Sequence, residues 1–289
     1  MNSSIRLKQT IIIGAILLLV AFLFTRDIKG LVKPTEENGK MPSSGQLSES
    51  ASVSSSGLSI QTTSEAAKNV VAKSLATDIT ALENSYKSAT GADKVELAQQ
   101  LAQKWDDVNL PVPAAFYDEL IASAESNYSN WIKTGNKFTD AYQNAQDSLT
   151  QPALVQKAIA AYQKAAELKP GSLEAKTGLG IAYVSGTPNP MQGIQLLLEV
   201  VKQEPDNIKA NMNLGLFSMK SGQYEKAVNR FKTVIAQKPE PEVWFYLASA
   251  YENLGNKEEA ITAYLQSKEL AADPKLGEYV DSKIQELRK

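Results

Sequence analysis

The chain has 289 residues, of which 43% are hydrophobic and 21% are charged, so most of its length can contribute to a packed core. Thirty Lys and Arg residues against 32 Asp and Glu residues leave a formal net charge of −2, which argues against a nucleic-acid partner because nucleic-acid binding needs a basic stripe. The absence of cysteine and histidine excludes disulfide frameworks, thiolate zinc sites, cysteine nucleophiles and Ser-His-Asp triads.

The first feature along the chain is a short apolar segment. Residues 11–24 read IIIGAILLLVAFLF, and two flanking threonines extend the uncharged run to residues 10–25. Such a run spans about 24 Å as a helix, slightly less than the hydrocarbon core, and flanking basic side chains that snorkel can cover the difference. We predict an uncleaved transmembrane helix within an anchor of residues 1–29. A cleaved signal peptide and a buried core helix are the alternatives, although no small-residue cleavage pattern follows the run.

The charges that flank this segment give little information on its orientation. Two basic side chains and the terminal amine precede it and three basic side chains follow it, so the positive-inside count is balanced. A short N-terminal tail usually stays in the cytoplasm while the C-terminal mass is translocated. We therefore expect a single-pass membrane protein with residues 30–289 outside the cytoplasm, on the periplasmic side in a bacterium.

The next segment, residues 30–63, has the composition of a flexible linker. Prolines and glycines interrupt any helix there, and ten of the 22 residues from Ser43 to Ser64 are serine. Such a composition cannot bury enough apolar surface to offset the entropy of ordering. With a reach of roughly 30–35 Å, the linker would hold the folded part near the membrane without docking it there.

Residues 64–126 have apolar residues at helical spacing and predict three amphipathic helices. The first ends near Gly91, the second stops before Pro111, and the third runs from about Pro113 to Ser126. No run of alternating β-branched residues competes with this pattern, so the predicted fold class is all-α. These helices either extend the helices that follow as degenerate pairs or fold back over their concave face.

The C-terminal half repeats itself with a period close to 34 residues. Four prolines recur 35, 34 and 35 residues apart, and each is preceded by a small residue with a large residue four positions after it. In order of the units these positions are Ala158, Tyr162 and Pro170; Gly193, Leu197 and Pro205; Ala227, Phe231 and Pro239; and Ala260, Tyr264 and Pro274. The pattern resembles the tetratricopeptide repeat, W-x₂-L-G-x₂-Y followed by A-x₃-F and then P.

The resemblance implies a right-handed solenoid of helical hairpins, with about four repeats over residues 127–274 and a capping helix over residues 275–289. Small residues are needed where the two helices of a hairpin cross, and prolines are needed where the second helix ends. Gly222 and Gly255 fall at the turn within a hairpin, where a positive φ is easiest for glycine. The earliest unit fits the pattern only with an insertion.

In the tetratricopeptide family the first helices of the hairpins line a concave groove that holds a peptide or helix of another protein. The resemblance maps groove positions onto residues of the first helices, including Asn136, Thr139 and Glu174. The predicted partner groove comprises Thr177, Ile181, Val184, Lys209, Met212, Leu216, Met219, Phe245, Ser249 and Glu252. Its middle is apolar and suits an apolar stretch of a partner. The alternative is that these apolar side chains belong to the core. No clamp for a C-terminal carboxylate is predicted.

The function predicted from these features is a membrane-tethered protein-protein interaction scaffold that binds a partner peptide or helix in its groove. An assembly factor or subunit of a larger envelope membrane complex, or a self-assembling structural protein, is the alternative, and homo-oligomerisation is compatible with each. We predict no enzyme, and no catalytic, metal or cofactor-binding residues. Adjacent carboxylates such as Glu258-Glu259 point in directions about 100° apart on a helix, and no glycine-rich phosphate loop follows a strand.

Overall fold

The computed structural model describes residues 58–145, 149–271 and 273–289. These ranges contain thirteen α-helices and no strand, which confirms the all-α class for the described part of the chain. The helices are α1 (Ile60–Lys68), α2 (Lys73–Ser88), α3 (Gly91–Asp107), α4 (Pro111–Ala124), α5 (Tyr128–Gln143), α6 (Gln151–Leu168), α7 (Leu173–Gly186), α8 (Pro190–Gln203), α9 (Ile208–Lys220), α10 (Tyr224–Gln237), α11 (Pro241–Asn253), α12 (Lys257–Leu270) and α13 (Pro274–Leu287).

Two of the sequence predictions fall wholly or largely outside these ranges. The predicted membrane segment, residues 10–25, and most of the predicted linker, residues 30–63, lie outside the described residues. Among the helices that the structure does describe, none combines the length and the apolar character that crossing a bilayer would take.

Consecutive helices from α3 to α12 pair into five hairpins, α3/α4, α5/α6, α7/α8, α9/α10 and α11/α12. The second helix of each hairpin also packs on the first helix of the next, and the first helices α5, α7, α9 and α11 contact one another in series. Because each hairpin contacts chiefly its neighbours, the helices form a solenoid rather than a closed bundle.

The two helices of a hairpin approach closely because small residues lie where they cross. At the crossing of α7 and α8, a Cβ on Gly193 would overlap the carbonyl oxygen of Gly180 and would lie 2.7 Å from the backbone nitrogen of Val184. Between α9 and α10 and between α11 and α12, Gly222 and Gly255 have φ of +71° and +77°, as the repeat pattern predicts for these turns.

The core lies between successive hairpins. The large residue that follows each small one by four positions is almost completely buried: Tyr162 is 2% exposed, Leu197 and Phe231 are fully buried, and Tyr264 is 1% exposed. These side chains belong to three apolar clusters, which together join the helices from α4 to α13. Burial of about 150–250 Å² per aromatic side chain makes these residues large contributors to the stability of the stack.

The N-terminal helices differ from the prediction of one helix from residue 64 to near Gly91. The helix begins earlier, at Ile60, and is interrupted after Lys68, with α2 starting at Lys73. The early start comes from a capping box in which Ser59 accepts the N–H of Thr62 while the Thr62 hydroxyl accepts the N–H of Ser59. α1 packs on α4, α2 packs on α3, and α4 packs on α5, so these helices lengthen the stack at its N-terminal end.

A buried carboxylate joins the N-terminal helices α1 and α2 to the stack. Glu83 of α2 is 9% exposed and accepts hydrogen bonds from Lys68 Nζ at 2.9 Å, from the Tyr117 hydroxyl at 3.1 Å and from the Ser64 hydroxyl. Burial raises the pKa of Glu83, but the three hydrogen bonds and the charge of Lys68 outweigh burial and lower it overall. Ionised Glu83 therefore links α1, α2 and α4.

At the other end, α13 packs on α12. Its inner residues Val280 and Ile284 are buried in the last apolar cluster, and Asp273 caps the helix by accepting the N–H of Lys275 at 2.9 Å. Ion pairs from Lys268 to Asp281 at 2.6 Å and from Lys283 to Glu252 at 3.2 Å tie the helix to α12 and α11. A helix with one apolar and one charged face is what an end of a solenoid requires.

Candidate functional site: a cleft on the first helices

A cleft of about 820 Å³ lies on the row of first helices, between α5, α7 and α9. It is lined by Asn136, Thr139, Asp140, Gln143, Tyr162, Leu173, Glu174, Thr177, Gly178, Ile181, Glu204, Asp206, Asn207, Ile208, Lys209, Asn213 and Gln237. Because the lining comes from three successive hairpins, the stacking of the hairpins forms the cleft, and we refer to it below as the cleft.

The floor of the cleft is formed by Tyr162, which reaches it from α6. Its ring lies between two glycines: a Cβ on Gly135 of α5 would lie 2.6 Å from ring atom Cε1, and a Cβ on Gly178 of α7 would overlap the ring. The Tyr162 hydroxyl donates to Asn136 Oδ1 at 2.9 Å and lies 3.1 Å from Thr139 Oγ1. Burial raises the pKa of this hydroxyl, so it stays protonated and serves as a hydrogen-bond donor.

Carboxylates predominate among the charged groups of the cleft. Asp140, Glu174, Glu204 and Asp206 line it against a single basic side chain, Lys209. In the described part of the chain, none of the four carboxylates lies within 4.0 Å of a Lys or Arg nitrogen. Their hydrogen-bond donors are uncharged groups. Glu174, for example, accepts a hydrogen bond from the Tyr128 hydroxyl at 2.8 Å.

The charge of the α5 end of the cleft is only partly compensated. Burial raises the pKa of Asp140, and the positive charges of Lys137 and Lys209 oppose this effect without cancelling it. Lys137 is itself paired with Asp106 at 2.7 Å. An additional positive charge in the cleft would therefore stabilise the ionised form of Asp140.

The structure divides the ten residues of the predicted partner groove. Three of them, Thr177, Ile181 and Lys209, line the cleft. Of these, Thr177 is 3% exposed and donates its hydroxyl hydrogen to the Leu173 carbonyl of its own helix at 2.7 Å, whereas Lys209 is exposed. Ile181 is buried in the apolar cluster between α7 and α9.

The other seven predicted groove residues lie outside the cleft. The half-buried apolar ones pack against core clusters, as the core alternative expects: Val184, Met212, Leu216, Met219 and Phe245. Ser249 is half-buried, and Glu252 is engaged by the Tyr264 hydroxyl at 2.6 Å and by Lys283 at 3.2 Å. Each of the five apolar side chains therefore packs partly against a core cluster and keeps part of its surface accessible.

Several residues of the cleft were missed at the sequence level. Asp140 and Gln143 follow Asn136 by four and seven positions, which places them on the same face of α5, and that spacing is the signal that could have found them. Tyr162 was expected only as a packing residue. Glu204 and Asp206 lie between α8 and α9, where the repeat pattern gives no positional information.

The described residues contain no group of three or more His, Cys, Asp or Glu side chains that could hold a metal ion. The carboxylates of the cleft are spread over α5, the start of α7 and the segment before α9. Such an arrangement suits hydrogen bonding and charge pairing along an extended ligand.

Comparison with known proteins identifies the repeats. Two family models described as tetratricopeptide repeat match residues 190–244 and 218–275, the region of α8 to α12. A crystal structure of MamA is 22% identical, with 58% of this chain and 93% of that chain covered and a TM-score of 0.45. MamA 41-end from Desulfovibrio magneticus RS-1 is 20% identical, with 63% and 97% covered and a TM-score of 0.45. No curated protein matches the sequence. Residues 190–275 of the chain therefore contain tetratricopeptide repeats.

Proposed function

We propose that this protein is a membrane-tethered scaffold that binds a segment of a partner protein in the cleft and catalyses no reaction. The observation that carries the proposal is the cleft itself, which spans the first helices of three stacked hairpins and has a volume of about 820 Å³. That volume falls within the usual range for ligand sites, about 300–1,000 Å³. The partner segment would lie across the helices, with one hairpin after another contributing side chains.

Hydrogen-bonding side chains in the cleft support a polypeptide ligand. Gln143 is exposed and Asn213 is half-buried, so their amide groups can bond with the main chain of an extended segment. Three of the predicted groove residues line the cleft and would border the bound segment: Thr177, Ile181 and Lys209. The half-buried Met212, Leu216, Met219 and Phe245 would adjoin the bound segment along the same row of first helices and accept its apolar side chains.

The membrane tether is the second part of the proposal and is supported by the sequence alone. The apolar run of residues 10–25 would anchor the chain, and the serine-rich segment that follows would leave the repeats free to move near the bilayer. A tethered binding site raises the effective concentration of its partner at the membrane. We propose the extracytoplasmic side for the repeats, because a short N-terminal tail favours that orientation.

Site-specific photo-crosslinking in intact cells tests the proposal. A photoreactive amino acid replaces Gln143 or Asn213 in the cleft of the full chain, and the matched controls carry it at Gln195 of α8 and Asn229 of α10, which are exposed on second helices. We expect discrete adducts to another protein, in the membrane fraction, from the cleft positions only. Equal adducts from the control positions would contradict the proposal.

The crosslinks also test self-assembly. Adducts whose mass equals two copies of the chain, from cleft and control positions alike, would favour a self-assembling structural protein. Light scattering of the full chain in mild detergent, in the absence of a partner, is the complementary measurement. A scaffold for a different protein is expected to show the mass of a defined small assembly under these conditions.

A further inference from the structure

We infer that the segment accepted by the cleft is cationic, that is, an extended stretch with Lys or Arg side chains that belongs to a different protein. The inference rests on the proposed function and specifies the chemistry of the partner.

The cleft is strongly acidic. Four lining carboxylates and one lining ammonium group give a net charge of −3, whereas the entire chain has a formal net charge of only −2. The excess negative charge is therefore local to the cleft rather than a property of the whole molecule. Walls of low dielectric around a concave site strengthen such a field and favour ligands of opposite charge.

The negative charge is distributed along the cleft. Asp140 lies on α5, Glu174 lies in the first turn of α7, and Glu204 and Asp206 lie between α8 and α9. The described residues hold no group of three or more His, Cys, Asp or Glu side chains that could share one metal ion. The complementary charge must therefore be spread over several groups, as it is along a basic polypeptide.

Apolar surface lies next to the carboxylates of the cleft. Leu173 and Ile208 begin α7 and α9 and line the cleft together with Glu174 and Asp206, and Ile208 is 37% exposed. Lys and Arg side chains combine a long aliphatic stem with a cationic head, so they fit a site where apolar and anionic surfaces alternate. A short polar side chain would leave the apolar part uncovered.

A second copy of this chain fits the cleft less well than a different protein does. Basic residues are scattered along the sequence, and Arg288-Lys289 is the sole pair of adjacent basic residues in it. Three places hold three basic residues within eight positions: 226–232 lies in α10, 283–289 lies at the end of α13, and 26–33 includes Asp27, so another copy offers no extended and purely basic stretch. A different protein with a basic stretch meets that requirement.

The test measures the binding of two synthetic peptides to the full chain in an uncharged mild detergent, by fluorescence anisotropy. One probe is a twelve-residue alternating Arg-Ser peptide with blocked ends, and the other is the corresponding Glu-Ser peptide. The cleft variant is Glu174→Gln with Glu204→Gln. The matched control is Glu225→Gln with Glu278→Gln, which removes the same charge from exposed positions on α10 and α13.

We expect the Arg-Ser peptide to bind and the Glu-Ser peptide not to bind. The cleft variant should weaken Arg-Ser binding about 3- to 30-fold, the combined effect of two charge pairs at an exposed site, while the control variant changes it less than about twofold. Lys209→Glu should strengthen binding of the Arg-Ser peptide. Such an increase in affinity could not result from a loss of folding. Circular dichroism confirms that each variant keeps its helices.

Equal binding of both peptides, or equal weakening by the cleft and control variants, would overturn the inference. The proposed function is tested separately. Partner adducts from Gln143 together with no preference for the cationic peptide would leave the scaffold proposal intact and refute the cationic partner. A lack of adducts from the cleft would refute the scaffold proposal itself.

Discussion

The Tyr162 wedge beneath the cleft provides a sharp test of how the stack is packed. Gly178→Ala places a methyl group where the Tyr162 ring now lies, and the nearest ring atom that does not overlap outright, Cδ1, would be 2.7 Å away. The ring cannot move aside easily, because it is 2% exposed and Gly135 contacts it from α5. The substitution therefore forces α6 and α7 apart or distorts the ring.

The expected change in the free energy of unfolding is the difference between two opposing effects. Forcing an extra methyl group into a packed core costs about 1–3 kcal/mol, and replacing glycine by alanine within a helix returns about 1 kcal/mol. We expect Gly178→Ala to lower the free energy of unfolding by up to about 2 kcal/mol. Gly277→Ala in α13 is the matched control, because its Cβ would meet Lys268 Cε at an ordinary 3.5 Å, and it should raise stability by up to about 1 kcal/mol.

Urea unfolding of the full chain in mild detergent, followed by circular dichroism, measures both variants. A double-mutant cycle with Tyr162→Ala isolates the contact: once the ring is removed, Gly178→Ala should become stabilising by up to about 1 kcal/mol. A Gly178→Ala variant that is as stable as Gly277→Ala would refute the wedge, as would an effect of Gly178→Ala that does not depend on Tyr162.

Three further predictions concern the N-terminal helices, the half-buried apolar side chains beside the cleft and the membrane anchor. Because the folded pKa of Glu83 lies below its unfolded value of about 4.3, its contribution to stability is present above that pH and is lost as the pH falls through the folded pKa. The free energy of unfolding, measured with urea, should therefore fall more steeply for the wild type than for Glu83→Gln as the pH is lowered below about 4.3, and parallel curves would contradict this. Met212→Glu with Leu216→Glu should reduce partner adducts from the cleft at least severalfold while the helical signal persists, and unchanged adducts would refute a role for these residues. Removal of residues 10–25 should move the protein from the membrane fraction to the soluble fraction, and an unchanged distribution would exclude that segment as the anchor.

The hairpins could be predicted from the sequence because their packing imposes a steric requirement at fixed positions. A Cβ at Gly193 would collide with backbone, and one at Gly215 would lie 2.6 Å from the Phe231 ring. Only small residues are tolerated there, so the requirement appears in the sequence as a period. Turn glycines with positive φ add a second periodic signal.

The polar cleft could not be predicted in the same way. Its acidic lining combines Asp140, in the earliest and least regular unit, with Glu204 and Asp206, which lie between hairpins where the period constrains only the proline. The apolar character expected for the groove came from Met212 and Leu216, whose side chains are half-buried against the next hairpin. Which groove positions stay open depends on the distance between first helices, and the sequence pattern does not report that distance.

The break between α1 and α2 was missed for a related reason. No proline or glycine marks residues 69–72, and the amphipathic pattern continues across them. The interruption follows from tertiary contacts, since Lys68 and Ser64 turn toward Glu83 of α2 and α1 packs on α4. The local sequence carries no signal for the hydrogen bonds to Glu83, because these form only when the three helices pack together.

The most direct test of the central claim is hydrogen-deuterium exchange of the full chain in mild detergent, with and without the partner found by crosslinking. Binding in the cleft predicts slower amide exchange in α5, α7 and α9, the first helices that line it, and unchanged exchange in the second helix α8, which contributes no residue to the lining. Protection confined to the second helices, or spread evenly over all of them, would contradict the claim that stacked hairpins hold the partner on their row of first helices.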